Sequence, residues 1–372
     1  MKALLKNARV WQSDHTFSSC LDVLISDKKI EKIGKNINDD TATLYDLEGK
    51  YLIPGFVDAH THGRAGSDFN VATKDEMAAM KRDYILHGVT SPIPTLASDT
   101  LDGWEESAKK ICDVGFDGIH FEGRYLSEKK RGAHAPHLLA PPSADEMEAI
   151  ASWVDIPMHI TLAPELIGGD EMIDKAISLL ATVGIGHTNA TAAETRRAIA
   201  LGATSFSHLF NAMPSLHHRE GGAVCVALEG KAYAEIIVDG VHICPDMVSL
   251  AYSCIGADKT VLITDSMAGT GCADGEYSIA GCRVIVKDGK ATTPDGTIAG
   301  STLNMLDAVK NLIEFAGATV GDAIACATKN PAMMLGIYDK VGSIEKGKTA
   351  NLLVLDDSLA ICKVIYNGVE YV

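Results

Sequence analysis

Histidine and acidic side chains of this chain recur where short apolar runs end. The segment Asp58-Ala59-His60-Thr61-His62 closes one such run, Glu122 a second, and His187, His208 and Asp265 three more. Successive side chains of a strand alternate between faces, so His60 and His62 project to the same side. Imidazole nitrogen with carboxylate oxygen suits Zn²⁺ or Fe²⁺. Each residue also has a plainer reading. A lone His-x-His is a weak motif, Glu122 could be a loop carboxylate, and His187 and His208 could be hydrogen-bonded core histidines. Asp265 could be a helix N-cap. Independent core histidines, however, have no reason to fall repeatedly at strand C-termini, so the set reads as a metal site.

Residues so far apart in sequence meet only if a closed architecture gathers those strand ends. Strand-like runs are predicted at 56–59, 93–95, 118–122, 158–162, 183–187, 205–208, 236–240 and 261–265, with helix-length segments between most of them. Strands alternating with helices imply a parallel sheet, and about eight of them imply a (β/α)8 TIM-type barrel, whose active sites lie at the C-terminal strand ends. A doubly wound open sheet is the alternative. Capping boxes are predicted at Thr73…Glu76, Ser143…Glu146 and Thr191…Glu194. Residues 277–297 read as a β-hairpin insertion and 302–315 as a helix. Both ends of the chain are β-rich, with Leu21, Val23 and Ile25 alternating near the start and Leu352-Leu353-Val354-Leu355 near the close. Each end is too short to bury a core alone. The expected division is a small β-sandwich domain from residues 1–54 plus 343–372, and a catalytic barrel from 55–342.

Composition narrows the partners. The 372 residues are 47% hydrophobic and 22% charged, which fits a globular protein with a large core. No apolar run approaches the roughly 18 residues of a membrane span, and the charges in Met1-Lys2-Ala3-Leu4-Leu5-Lys6 come too early for a secretory leader. The 9 cysteines form no Cys-x-x-Cys pair. They read as reduced core thiols, Cys225 and Cys326 among them, and indicate a cytoplasmic protein. A net charge of -16 argues against nucleic acid and anionic membrane as partners. A phosphorylated substrate would need a local basic pocket.

A wider set of motifs resembles the amidohydrolase superfamily and, within it, the N-acetylglucosamine-6-phosphate deacetylase family. These are Pro-Gly-Phe-Val-Asp-Ala-His-Thr-His-Gly (54–63), Glu122-Gly123, Gly132-Ala133-His134, Leu162-Ala163-Pro164-Glu165, Gly186-His187-Thr188 and His208-Leu209-Phe210-Asn211-Ala212-Met213. They continue with His218-Arg219-Glu220, Asp239-Gly240-Val241-His242, Thr264-Asp265-Ser266-Met267 and Ala299-Gly300-Ser301. The resemblance runs nearly end to end. It implies that Glu122, His187 and His208 hold the main divalent metal, zinc or iron, and that His60 and His62 permit a second, with Glu122 bridging. It implies Asp265 as general base, and His134 as the group that helps bind and polarise the substrate. Asn211, the backbone of Ala212, Arg219 and His242 would meet an amino-sugar phosphate. In relatives Arg219 and His242 of one subunit reach the neighbour's site, so a homodimer is implied. The implied reaction removes the N-acetyl group of an N-acetyl-hexosamine 6-phosphate, the gluco or the galacto epimer.

Two departures touch this pattern. The usual Glu-Gly-Pro-Phe is Glu122-Gly123-Arg124-Tyr125, and the usual Arg-Glu-Pro-Gly is Arg219-Glu220-Gly221-Gly222. Neither removes a catalytic atom; both bear on which amino sugar fits. Cyclic amidases of the dihydroorotase or hydantoinase type bridge two metals with a carboxylated lysine on strand four, where this chain has Met158-His159-Ile160-Thr161-Leu162 and no lysine. A non-catalytic scaffold would have lost ligands or base, and this chain keeps them. His15, His87, His120, His137 and His159 are expected to play no direct part. His217 and His218 could border the phosphate, and Met333-Met334 reads as helix packing.

Overall fold

The computed structural model describes residues 2–371. Eight parallel strands lie side by side in chain order: Phe56–Thr61, Val89–Leu96, Ile119–Glu122, Met158–Leu162, Thr182–Ile185, Ser205–Phe206, Tyr233–Ile237 and Thr260–Ile263. Most of their residues are buried, as strands covered outside by helices and inside by the barrel's own side chains must be. The seam between the first and last strands closes just beyond the ladder. Asp265 N–H donates to the His60 carbonyl at 2.9 Å, and His62 N–H to the Ser266 carbonyl at 2.8 Å. One turn earlier the buried Asp58 carboxylate accepts Thr264 N–H at 3.1 Å and Thr264 Oγ1–H at 2.5 Å. These bonds complete a barrel and rule out the open sheet.

The predicted strands are all present, but their ends differ in a consequential way. Strands 182–185, 205–206 and 260–263 stop two residues before His187, His208 and Asp265. Those three residues sit in left-handed backbone, with φ of 45°, 29° and 49°. Alternation of apolar residues cannot report that turn, because the polar side chain still looks like the next strand position.

The helices are set by their caps. Thr73 and Thr191 form full capping boxes with Glu76 and Glu194. The predicted box at Ser143 is only half made. Ser143 accepts Glu146 N–H, but the Glu146 carboxylate takes Tyr125 O–H at 2.6 Å and lies 3.6 Å from Arg124. A buried phenol outcompetes a solvent-facing N–H. Helix Met305–Ala316 begins three residues later than predicted. The predicted hairpin insertion is a three-stranded meander, Gly275–Ile279, Cys282–Lys287 and Lys290–Thr292.

Strands from both chain ends share one sheet system, in which Tyr51–Pro54 pairs with both Lys2–Val10 and Leu352–Leu355. The register of Lys2–Val10 shifts between Leu5 and Ala8, around Asn7 at φ 58°. That bulge lets one strand turn from its Leu21–Ser26 neighbour toward Tyr51–Pro54. Leu5, Val10, Ile25, Leu52, Leu352 and Ile365 pack within the fold so made.

All nine cysteines are free, but the core-thiol expectation holds for Cys326 alone. Cys20, Cys244, Cys254, Cys272 and Cys362 are exposed, and Cys225 is half-buried. An apolar run does not say which side of a helix faces inward. Met334 is buried, while Met333 is 45% exposed. Among the described residues no helix is long and apolar enough to cross a membrane.

Full boxes satisfy one more backbone N–H than the half box. Thr73→Ala and Thr191→Ala should each lower stability by about 1 kcal/mol, with Ser143→Ala costing less. Urea midpoints of the three variants measure this, and an equal or larger loss at Ser143 would contradict it.

Candidate active site

Five side chains from four separate strand ends converge on Glu122. Its Oε1 lies 2.8 Å from His208 Nε2 and 3.2 Å from His187 Nε2, and those two nitrogens are 3.0 Å apart. Its Oε2 lies 3.1 Å from His62 Nε2 and 3.3 Å from His60 Nε2. Asp265 Oδ1 stands 3.2 Å from His62 Nε2 and 3.8 Å from His60 Nε2. One carboxylate therefore turns a different oxygen toward each pair of imidazoles. All five residues are buried or nearly so.

The donor set fits cations. Zinc at about 2.0–2.1 Å from tetrahedral ligands puts the ligands roughly 3.3 Å apart, and the distances from Glu122 to the four imidazoles, 2.8 to 3.3 Å, lie near that edge. Glu122, His187 and His208 form one such group, and His60, His62 and Glu122 another. His60 Nε2 is buried without a hydrogen-bond partner, as a ligand nitrogen would be. His187 donates its Nδ1–H to the Lys130 carbonyl at 2.8 Å, which turns the Nε2 lone pair toward Glu122.

Charge balance leads to the same conclusion. Burial works against the Glu122 carboxylate, yet His60, His187 and His208 hold its pKa well below the usual range. Burial likewise opposes ionised Asp265, and contacts with His62 and His60 bring it down to about 2. In return, although burial would discharge it, hydrogen bonds to Asp265 and Glu122 hold His62 up at about 9. Without metal, protons on imidazoles supply the positive charge that the buried carboxylates require.

His134 stands on the other side of Glu122, its Nε2 3.8 Å from Oε2. Ser98 N–H points at His134 Nδ1 at 3.3 Å, and Ser98 Oγ lies 2.8 Å from the same nitrogen. A backbone N–H can only donate, so Nδ1 is the acceptor and Nε2 carries the hydrogen. Burial, then the neighbouring His187, lowers the pKa of His134 to about 3. It is a neutral imidazole presenting an N–H donor to the site.

A cavity of about 270 Å³ opens over this centre, lined by His62, Glu122, His134, His187, His208 and Asp265 together with Asn211, Ala212, His242 and residues 297–300. His242 bonds Asp239 Oδ2 through Nδ1 at 2.7 Å and lines its own chain's cavity. Arg219 is exposed beside His218, 2.9 Å away, and lines no part of this cavity. His217 is exposed as well.

The Arg124-Tyr125 departure turns away from the cavity. Tyr125 is fully buried with its hydroxyl on Glu146, and Arg124 donates to the Asp99 carbonyl at 3.0 Å. His120 sits between Thr95 at 3.1 Å and Thr161 at 2.8 Å, and His159 bonds Thr182 at 2.8 Å. Sequence reasoning missed Ser98 and the Lys130 carbonyl. Ser98, two residues past strand Val89–Leu96, was findable by the strand-end rule. A backbone carbonyl leaves no signal in sequence.

A metal-binding (β/α)8 barrel with its ligands at the strand ends defines a class of hydrolase, and comparison agrees. Residues 51–370 match the model of the amidohydrolase family, and the chain belongs to that family. It is 32% identical, over 94% of its length and 92% of the relative's, to N-acetylglucosamine-6-phosphate deacetylase of Lysinibacillus sphaericus. It is 33% identical, over 96% and 95%, to N-acetylgalactosamine-6-phosphate deacetylase of Escherichia coli O157:H7. The structure of a mutant N-acetyl-D-glucosamine-6-phosphate deacetylase from Mycobacterium smegmatis, in complex with N-acetyl-D-glucosamine-6-phosphate, superposes with a TM-score of 0.93. That match has 31% identity and covers 100% of this chain and 99% of that one.

Imidazoles must shed their protons to bind a metal. With His62 held at about 9, zinc binding to the metal-free chain should release protons at pH 7. Its affinity should rise with pH up to about 9. Calorimetry in buffers of different ionisation enthalpy measures the release, and a proton count of zero would contradict it.

Proposed function

We propose that this chain hydrolyses the N-acetyl group of an N-acetyl-hexosamine 6-phosphate, giving acetate and the amino-sugar phosphate, with N-acetylglucosamine 6-phosphate as the leading substrate. One observation carries the reading: Glu122 offers one oxygen to each of two imidazole pairs, with the Asp265 carboxylate and the His134 N–H both at the cavity floor. The galacto epimer is the second reading, favoured by the equally similar galactosamine relative.

In this reading Glu122, His187 and His208 hold the main cation, and His60 and His62 with Glu122 hold a second, zinc in the first instance with iron as the alternative. When bound, such a cation acidifies a water and polarises the amide carbonyl. Asp265, ionised at neutral pH, accepts the proton of the attacking water. It then delivers that proton to the departing nitrogen, which makes an amine a viable leaving group. His134 donates Nε2–H to the carbonyl oxygen as negative charge develops there. Its neutrality matters, because a charged imidazole so close would compete for the Glu122 carboxylate. Asn211, the backbone of Ala212 and His242 meet the sugar phosphate. Arg219, exposed in a single chain, serves the partner of a homodimer. A cytoplasmic setting fits nine free thiols.

Acetate release from the gluco and galacto 6-phosphates, compared as kcat/KM, tests the reaction and the epimer together. Asp265→Asn should abolish turnover and leave metal content nearly intact, since the amide keeps the shape but accepts no proton. Elemental analysis beside the assay checks this; near-normal turnover in a metallated variant would refute the base, and loss of metal would make Asp265 chiefly a ligand.

A dianionic substrate approaches a chain of net charge -16 against the overall field, so local donors must capture it. The planar fork of Arg suits phosphate. Arg219→Ala should cost the phosphorylated substrate about 2 kcal/mol in kcat/KM and barely alter use of the unphosphorylated sugar. Equal losses on both would assign Arg219 to fold or dimer. Mixing Arg219→Ala with Asp265→Asn subunits should restore activity that neither has alone, if Arg219 acts across the interface.

A further inference from the structure

Glu235 lies within strand Tyr233–Ile237, is fully buried, and has no part in the reaction described above. A carboxylate buried in an apolar strand is costly unless its environment compensates it. Its Oε2 accepts two hydrogen bonds, His60 Nδ1–H at 3.0 Å and the His208 backbone N–H at 3.2 Å. Its own carbonyl accepts Leu209 N–H at 2.8 Å. Its Oε1 has no hydrogen-bond partner.

These contacts divide between the two halves of the centre. On the side of His60 and His62, Glu235 fixes the imidazole itself. Holding the hydrogen of His60 on Nδ1 leaves Nε2 with its lone pair toward Glu122 Oε2, 3.3 Å away. His62 has no such anchor, for its Nδ1 is buried without a partner. On the side of His187 and His208, the Glu235 carboxylate takes its hydrogen bond from backbone, the His208 N–H. It steadies the left-handed turn at His208, φ 29°, whose Nδ1 has no hydrogen-bond partner.

We propose that Glu235 is a positioning residue that selects the second cation: its charge raises the affinity of the His60–His62–Glu122 group, while its shape alone supports the His187–His208–Glu122 group. A carboxylate on the far nitrogen of a ligand imidazole fixes the ring's orientation and strengthens it as a donor, and its loss typically costs about 10–100-fold in metal affinity. The inference rests on the two-cation reading above. Glu235→Gln separates charge from shape, since the amide oxygen can still accept both N–H groups.

The test is zinc binding to the full-length metal-free protein by competition with a chromophoric chelator, with elemental analysis of stoichiometry. Circular dichroism checks the fold of each variant. The unsubstituted protein should bind two equivalents. Glu235→Gln should keep the first near its original affinity and weaken the second by about 10–100-fold. Glu235→Ala should weaken both, because the His208 turn also loses its acceptor. Full recovery of both equivalents by Gln would make Glu235 merely structural and overturn the proposal, as would equal losses at both sites in Gln. Two equivalents of undiminished affinity in Ala would overturn it too. If the Gln chain does not fold, Glu235→Asp decides: it keeps the charge but retracts it from His60, and an unchanged second affinity overturns the proposal. A single equivalent in the unsubstituted protein would sink the two-cation reading and this inference with it. Two equivalents there, with an insensitive Glu235, would sink this inference alone.

Discussion

The structure depends on one buried carboxylate, that of Glu122. A charge so far from water must be met by opposite charge or by hydrogen bonds, and four imidazoles from three other strand ends supply the partners. Each of its oxygens faces a separate pair. Removing the carboxylate would take from both imidazole pairs the one group they share. The barrel is the device that makes the meeting feasible, because it brings residues 60, 122, 187, 208 and 265 to one rim.

Convergence on a single point has a backbone cost. His187, His208 and Asp265 adopt left-handed φ, which non-glycine residues rarely do. Such conformations persist where surrounding bonds over-determine them. Asp265 is gripped through its N–H by the His60 carbonyl, and its own carbonyl accepts Ser301 N–H at 2.7 Å. His208 hands its N–H to Glu235. Strand register thus reaches the chemistry through backbone bonds, and the side chains arrive already aimed.

Beneath the centre the barrel interior is polar rather than oily. His120 bridges Thr95 and Thr161, and Thr161 meets Ser207 at 2.7 Å. Burial, and then the neighbouring His60, holds His120 well below its usual pKa, so it stays neutral. A neutral, hydrogen-bonded layer adds no further charge next to a site already dense in it. His60 packs edge-on against His120 with ring centres 4.6 Å apart.

Much of this was legible in the sequence because periodicity and capping are local. Alternating strand and helix signals gave the barrel, and polar residues at the ends of apolar runs gave His60, His62, Glu122, His187, His208 and Asp265. What the tertiary structure decided was orientation. Which oxygen of Glu122 serves which pair depends on strands far apart in the chain. So do the hydrogen on His134, set by Ser98, and the anchoring of His60 by Glu235. The Ser143 box failed because Tyr125 claimed Glu146, and the Arg124-Tyr125 pair proved to face away from the cavity. His242 lines the cavity with its ring held by Asp239. Local pattern says which residues can act; a side chain's direction and hydrogen position are set by partners that only folding brings within 3 Å.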